Sequence, residues 1–193
     1  MLAEWVVRFA SALPTAGPIA VAGHDIGGAV GQYLLVHGLL DVPRLPLVNS
    51  VLYDSWPAPH VARYRDPDVA VDDLLGARRW ATRSAPAGAA TEELVAEYLD
   101  PWTDPRVRRS WLAMAAAADS RHPLDPVPGL RRTAAPKLLV WGEDDRFERV
   151  GHAERFAAEI PHSTLVRIPR ADRIPTEYAA DRIGQALGTF FTT

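Results

Sequence analysis

The sequence predicts a mostly parallel α/β sheet of about four strands, interrupted by a helical insertion. Three observations carry this. Helix and strand signals alternate in residues 1–53 and again in 135–193, the pattern of a parallel sheet. The strand candidates are short apolar runs without polar alternation, as suits strands covered on both faces. The middle block, 54–134, is punctuated by proline and has helical runs but no strand signal. The expected organisation is therefore a first core part (1–53), a helical insertion (54–134) and a second core part (135–193).

In chain order, Leu2, Trp5, Val6, Phe9 and Leu13 recur at helical spacing, and Pro14 stops that helix. Residues 18–22 form the first buried-strand candidate, and 29–40 read as a helix carrying Val30, Tyr33, Leu34 and Leu39. Residues 45–52 are the second strand candidate. In the insertion, helices are expected over 71–83, after Thr91 as N-cap with Glu92 and Glu93 in the first turn, and after Asp104-Pro105, a cap followed by proline at the first helical position. Residues 137–141 and 164–168 are the remaining strands. A helix over 152–160 lies between them, and one over 178–191 closes the chain with Ile183, Leu187 and Phe190 on one face.

Composition narrows the function. The 193 residues carry a net charge of −3 and 48% apolar residues. That supports a sizeable core and gives no basic footprint for nucleic acid or an anionic membrane. No apolar run reaches the length of a membrane span, and a cytoplasmic protein is expected. There is no cysteine, so disulfides, thiolate chemistry and cysteine metal sites are excluded. No two histidines and a carboxylate share metal-ligand spacing, so no metal and no cofactor is expected.

The chemistry sits in Gly23-His24-Asp25-Ile26-Gly27-Gly28, between a strand and a helix. A small-x-nucleophile-x-small turn lifts its central side chain above the sheet and aims the next backbone N–H, that of Ile26, at a developing oxyanion. Here the centre is Asp25. A carboxylate nucleophile attacks carbon, displacing halide or opening an epoxide, and leaves an alkyl ester on the enzyme. The bland alternative is an aspartate that only orders a turn.

At these residues the chain resembles the α/β-hydrolase superfamily, near its epoxide hydrolase and haloalkane dehalogenase branch. Three further stretches extend the resemblance over essentially the whole chain. Val48-Asn49-Ser50-Val51-Leu52-Tyr53-Asp54-Ser55-Trp56-Pro57 looks like the strand leading into the cap. Val140-Trp141-Gly142-Glu143-Asp144-Asp145 looks like the strand and loop of the catalytic acid, with Asp145 in the acid position. The stretch from Ile168 to Glu177 looks like the segment of the catalytic histidine.

The departures matter as much. Arg173 stands at the histidine position, and none of the six histidines (24, 37, 60, 122, 152 and 162) fits that slot. An arginine stays protonated and cannot act as general base; losing a triad member typically costs ~10⁴-fold in rate. The expected role of Arg173 is an ion pair with Asp25, Asp145 or both, against a surface pairing with Asp172. Ile26 stands where dehalogenases place a halide-binding tryptophan. The superfamily's first strands, with the loop of the second oxyanion donor, have no counterpart ahead of Leu2. The strand at 18–22 would then have an open edge, which predicts a homo-oligomer or a partner chain covering it.

The resemblance thus implies a protein derived from an Asp-nucleophile hydrolase, acting on a small hydrophobic organic substrate with impaired hydrolysis. The alternatives are a non-hydrolytic enzyme (cyclase, isomerase or lyase) using the same pocket, and a non-catalytic binding or assembly protein. His24, Trp56, Tyr64 and Tyr98 are the pocket candidates, His24 more as packing beside the elbow than as a catalyst. Trp56, Trp80, Trp102 and Trp111 are expected chiefly as core anchors between cap and sheet, against the reading of a ligand cage. The arginines at 78–79, 106–109 and 131–132 read as solvated faces, with an acidic-substrate mouth as the minor reading.

Overall fold

The computed structural model describes residues 2–14, 19–65 and 91–193. The expected helix over 71–83, with Arg78, Arg79 and Trp80, lies outside them. The chain divides into two compact units, Met1–Ser55 with Ser120–Thr193, and Trp56–Asp119. Residues 120–134, read from the sequence as helical insertion, therefore belong to the sheet unit. Lys137, the chain's only lysine, helps explain why. It is fully buried, and its ammonium donates to the carbonyls of Thr133 (3.0 Å) and Pro161 (3.1 Å). A buried ammonium needs such acceptors, and these tie the 120–134 segment to the strand.

The sheet unit begins with α1 (Leu2–Ala12). It continues through β1 (Gly23–Asp25), α2 (Ile26–Val36) and β2 (Leu45–Ser50), and after Ser120 through β3 (Lys137–Gly142), α5 (Val150–Glu159), β4 (Ser163–Ile168) and α6 (Ala180–Thr192). The helices of the other unit, α3 (Glu92–Leu99) and α4 (Pro105–Ala116), fall between β2 and β3. The four strands are parallel in the order β1-β2-β3-β4, as expected.

Both faces of the sheet are covered. Leu45, Leu47, Leu139 and Trp141 face one core with Leu34, Phe156 and Ile160 from α2 and the α5 region. Val48, Leu138 and Val140 face a second core with Ile168 and Ile183, against which Leu187 and Phe190 of α6 pack. Side chains alternate along a strand, so two buried faces demand the unbroken apolar runs seen in the sequence.

Three elements differ from expectation. The first strand is Gly23–Asp25; of the strand expected at 18–22, residues 19–22 stay outside the ladder and 18 lies outside the described residues. Leu45 N–H donates across to Pro136, so alternation turns the Pro46 nitrogen toward β1, and proline has no proton to give there. The ladder forms only beyond it, at Gly23 against Leu47. Helix α2 starts at Ile26 and ends at Val36 rather than Leu40, because Gly38 adopts a left-handed φ of 61°. In α1 the inward stripe is Ala3, Val6, Val7 and Ala10; Leu2, Trp5 and Phe9 stand exposed. The small alanines permit the close approach, and the bulky residues are left on the other side.

The unit Trp56–Asp119 has its own core of Ala58, Val61, Tyr64 and Ala115, against which Trp56, Trp102, Trp111 and Leu112 pack. Tyr64 meets Trp111 edge to face at 5.1 Å. The expected caps are in place: Thr91 Oγ1 accepts from Leu94 N–H, and Asp104 Oδ1 from Arg106 N–H. Arg106 also pairs with Asp104.

Candidate active site

The site grows from the C-terminal ends of the strands. Asp25 is the last residue of β1 and directly precedes α2. Its φ of 53° and ψ of −125° lie in a region L-residues avoid, at a cost of roughly 1–3 kcal/mol that surrounding contacts must hold. They do so closely. Val51 N–H donates to the Asp25 carbonyl and Ser50 Oγ to the Gly23 carbonyl. A Cβ on Gly23 would lie 2.5 Å from Gly28 Cα, and one on Gly28 would lie 2.2 Å from Ser50 Oγ. Gly27, by contrast, has open space. The turn is therefore made tight by Gly23 and Gly28.

Asp25 does not use its carboxylate to cap α2, as a turn-ordering aspartate would. Its Oδ2 instead pairs with the Arg173 guanidinium. The two side chains are only 23% and 21% exposed, so the pair is largely shielded from solvent. Arg173 is held from several directions. Its guanidinium lies 4.8 Å from the Phe147 ring centroid. Its backbone N–H donates to Asp172 Oδ1 at 2.6 Å, and its carbonyl meets His24 Nε2 at 2.9 Å. His24 is thus a brace between the elbow and the loop after β4. Of the three carboxylates expected as partners, the Arg173 guanidinium pairs with Asp25, while Asp172 bonds only to its backbone N–H.

Asp145 follows β3 and is buried. Its Oδ2 accepts from Asn49 Nδ2 at 2.7 Å, and its Oδ1 from the N–H groups of Phe147 (2.8 Å) and Glu148 (3.0 Å). Burial pushes this carboxyl up, while those donors and the Arg173 charge pull it down. Arg173 reaches it through the field only; the ion pair goes to Asp25.

Two residues escaped the sequence reading. Asn49, fully buried at the end of β2 with φ 35°, bridges Asp145 to the Gly142 N–H (2.9 Å). An asparagine at the end of an apolar strand was the available signal. Glu148 is 3% exposed. Burial, and then the nearby Asp25 and Asp145 charges, push its carboxyl up to about 8. Ile26 is half-buried at the first position of α2, so its N–H is among the donors a helix leaves unused.

The remaining candidates lie on the helical unit. Tyr64 is built into that unit's core, its hydroxyl accepting from Arg63 at 2.7 Å. Trp56 packs against the same cluster, and Tyr98 is 38% exposed on α3. Among the described residues, no three His, Asp or Glu side chains are gathered to hold a metal ion.

The sequence profile of the alpha/beta hydrolase family matches residues 2–186. The chain belongs to this family. A haloalkane dehalogenase from Bradyrhizobium diazoefficiens is 29% identical over 136 residues, which is 65% of this chain and 44% of that protein. The chain thus spans under half the length of that relative.

Among solved structures, an alpha/beta hydrolase fold protein from Burkholderia ambifaria superposes with a TM-score of 0.80 at 21% identity, covering 96% of this chain and 69% of the other. A haloalkane dehalogenase from Agrobacterium tumefaciens gives 0.78 at 16%, covering 99% and 72%. A 2-hydroxy-6-oxo-6-phenylhexa-2,4-dienoate hydrolase from a Rhodococcus species gives 0.73 at 24%, covering 91% and 64%. At these identities the structural likeness carries the fold. This alpha/beta hydrolase has no helix, among its described residues, long and apolar enough to cross a membrane.

Proposed function

We propose that this alpha/beta hydrolase uses Asp25 as a carboxylate nucleophile toward small hydrophobic alkyl halides or epoxides, and that it forms the ester faster than it releases it. The observation that carries the reading is the placement of Asp25: strained elbow backbone, carboxylate unused as a helix cap, and one oxygen held by Arg173. The haloalkane dehalogenase relative fits the same chemistry.

In the first step an Asp25 oxygen bonds to the electrophilic carbon. The carbon–halogen bond breaks and halide leaves, or the epoxide C–O bond breaks and its oxygen takes a proton from solvent water, leaving hydroxide. Arg173 positions the carboxylate through Oδ2, leaving Oδ1 to attack. The Ile26 N–H faces charge developing on the ester oxygen in the release step. Release is slow because an arginine at the histidine position takes no proton from water.

Intact-protein mass spectrometry after incubation with styrene oxide tests this. An adduct that persists near neutral pH, mapped to Asp25 and absent in Asp25→Asn, is the expected result. Its absence from a folded protein at high electrophile concentration removes the nucleophile reading.

The ion pair itself favours a second reading, a binding or assembly protein, or a non-hydrolytic catalyst, in which Asp25 and Arg173 form a fixed charge pair. On that reading Asp25→Asn lowers stability and changes no covalent chemistry. A second copy of the chain covers the open edge of β1 or the exposed face of α1.

A further inference from the structure

One buried carboxyl beside the site has no task in the chemistry above. The Glu148 backbone is fixed on both sides, its N–H donating to Asp145 Oδ1 (3.0 Å) and its carbonyl accepting from Trp141 Nε1 (2.7 Å). The Ser55 hydroxyl is the neighbour that favours its charged form. Its Oε2 is buried with no partner among the described residues. A buried carboxyl oxygen left unpaired is costly, and points to a group that joins it in the working site. The charged groups that act on Glu148 come from three loops: Asp25 at the end of β1, Asp145 after β3 and Arg173 after β4. Glu148 therefore belongs to the charge cluster of the elbow, although it lies far from Asp25 in sequence.

We propose that Glu148 is the general base that activates water against the ester on Asp25. The proposal rests on the reading of Asp25 as nucleophile. The Glu148 carboxylate takes a proton from water, and the water oxygen bonds to the ester carbonyl carbon. The bond from that carbon to the alkyl oxygen breaks. The departing alkoxide takes the proton from Glu148, and Asp25, left as the acid, gives its proton to solvent and pairs again with Arg173. The atoms of one water end in the Asp25 carboxyl and the released alcohol. No imidazole is required.

The position of Glu148 gives the step a signature. Its carboxyl, raised by burial and by two neighbouring carboxylates to about 8, becomes a base in alkaline solution, above the range where an imidazole titrates.

The test loads the full chain with styrene oxide, removes the excess, and follows decay of the intact-mass adduct from below to above pH 8. The expected decay rate climbs through a midpoint near 8. Glu148→Gln slows the decay on the order of 10²-fold and removes the climb, and Glu148→Asp restores part of it. A flat wild-type profile overturns the proposal even where the glutamine variant folds poorly. Decay in Glu148→Gln at the wild-type rate overturns Glu148 alone and leaves Asp25 as nucleophile. Absence of any adduct overturns both.

Discussion

Three carboxyl side chains share one guanidinium at this site. Arg173 gives its ion pair to Asp25, Asp145 is satisfied by Asn49 and two backbone N–H groups, and Glu148 is left holding its proton. This has a consequence for stability. A carboxyl whose folded value is about 8 against an ordinary 4.5 binds its proton more tightly in the native state. Its stabilising contribution is full below about pH 4.5 and is lost as pH rises through about 8, with a slope of roughly 1.4 kcal/mol per pH unit inside that window. Asp145, also raised by burial, adds a contribution of the same sign. Urea denaturation is expected to show stability falling from mildly acidic to mildly alkaline solution, and Glu148→Gln to flatten the upper part of the fall. A wild-type stability that holds or rises across the window contradicts the proton on Glu148. The candidates Asp25, Asp145 and Arg173 could be picked from the sequence because each sits in a local pattern. Glu148 was not, because one glutamate among Asp144, Asp145 and Arg146 reads as loop solvation until the fold buries it.

At the scale of elements, the β1–α2 elbow depends on two glycines of unequal use. Gly28→Ala places a Cβ 2.2 Å from Ser50 Oγ and 2.3 Å from Ser50 Cβ, so backbone must move, at a cost of about 1–3 kcal/mol. Gly27→Ala meets no atom within 4 Å and removes a flexible residue from the first turn of α2, which is expected to be neutral or stabilising by up to about 1 kcal/mol. Chemical denaturation of the two variants separates them, and equal losses would refute the packing argument. The run Gly-x-Asp-x-Gly-Gly marks the elbow but not that Gly28 rather than Gly27 is crowded, since the crowding of Gly28 comes from Ser50 on the neighbouring strand. For the same reason the strand at 18–22 was misplaced: its apolar run is real, yet the missing N–H of Pro46 belongs to its partner. The cap residues Thr91 and Asp104 were readable outright, because a cap bonds within three residues of itself.

For the whole molecule the open question is what covers its apolar surface. Among the described residues β1 has only β2 as ladder neighbour, and with three residues it presents a short edge. Helix α1 presents more. Leu2, Trp5 and Phe9 are 50%, 62% and 66% exposed, spaced as the anchors of one helix stripe. Contiguous apolar surface of this kind marks an interaction site in soluble proteins. A net charge of −3 opposes self-association only weakly, so a second copy is the expected cover. Light scattering of the purified chain should return a defined multiple of 21.1 kDa. Trp5→Glu combined with Phe9→Glu should return it to one copy, because each change puts a charge where apolar contact is made. The inward stripe of Ala3, Val6, Val7 and Ala10 is untouched by these changes, so the fold is expected to persist. A wild-type monomer that stays soluble at high concentration would show that the α1 face needs no partner. Aggregation without a defined mass would instead move the search to a different polypeptide bearing the complementary surface, and adduct chemistry at Asp25 would then have to be repeated on that complex.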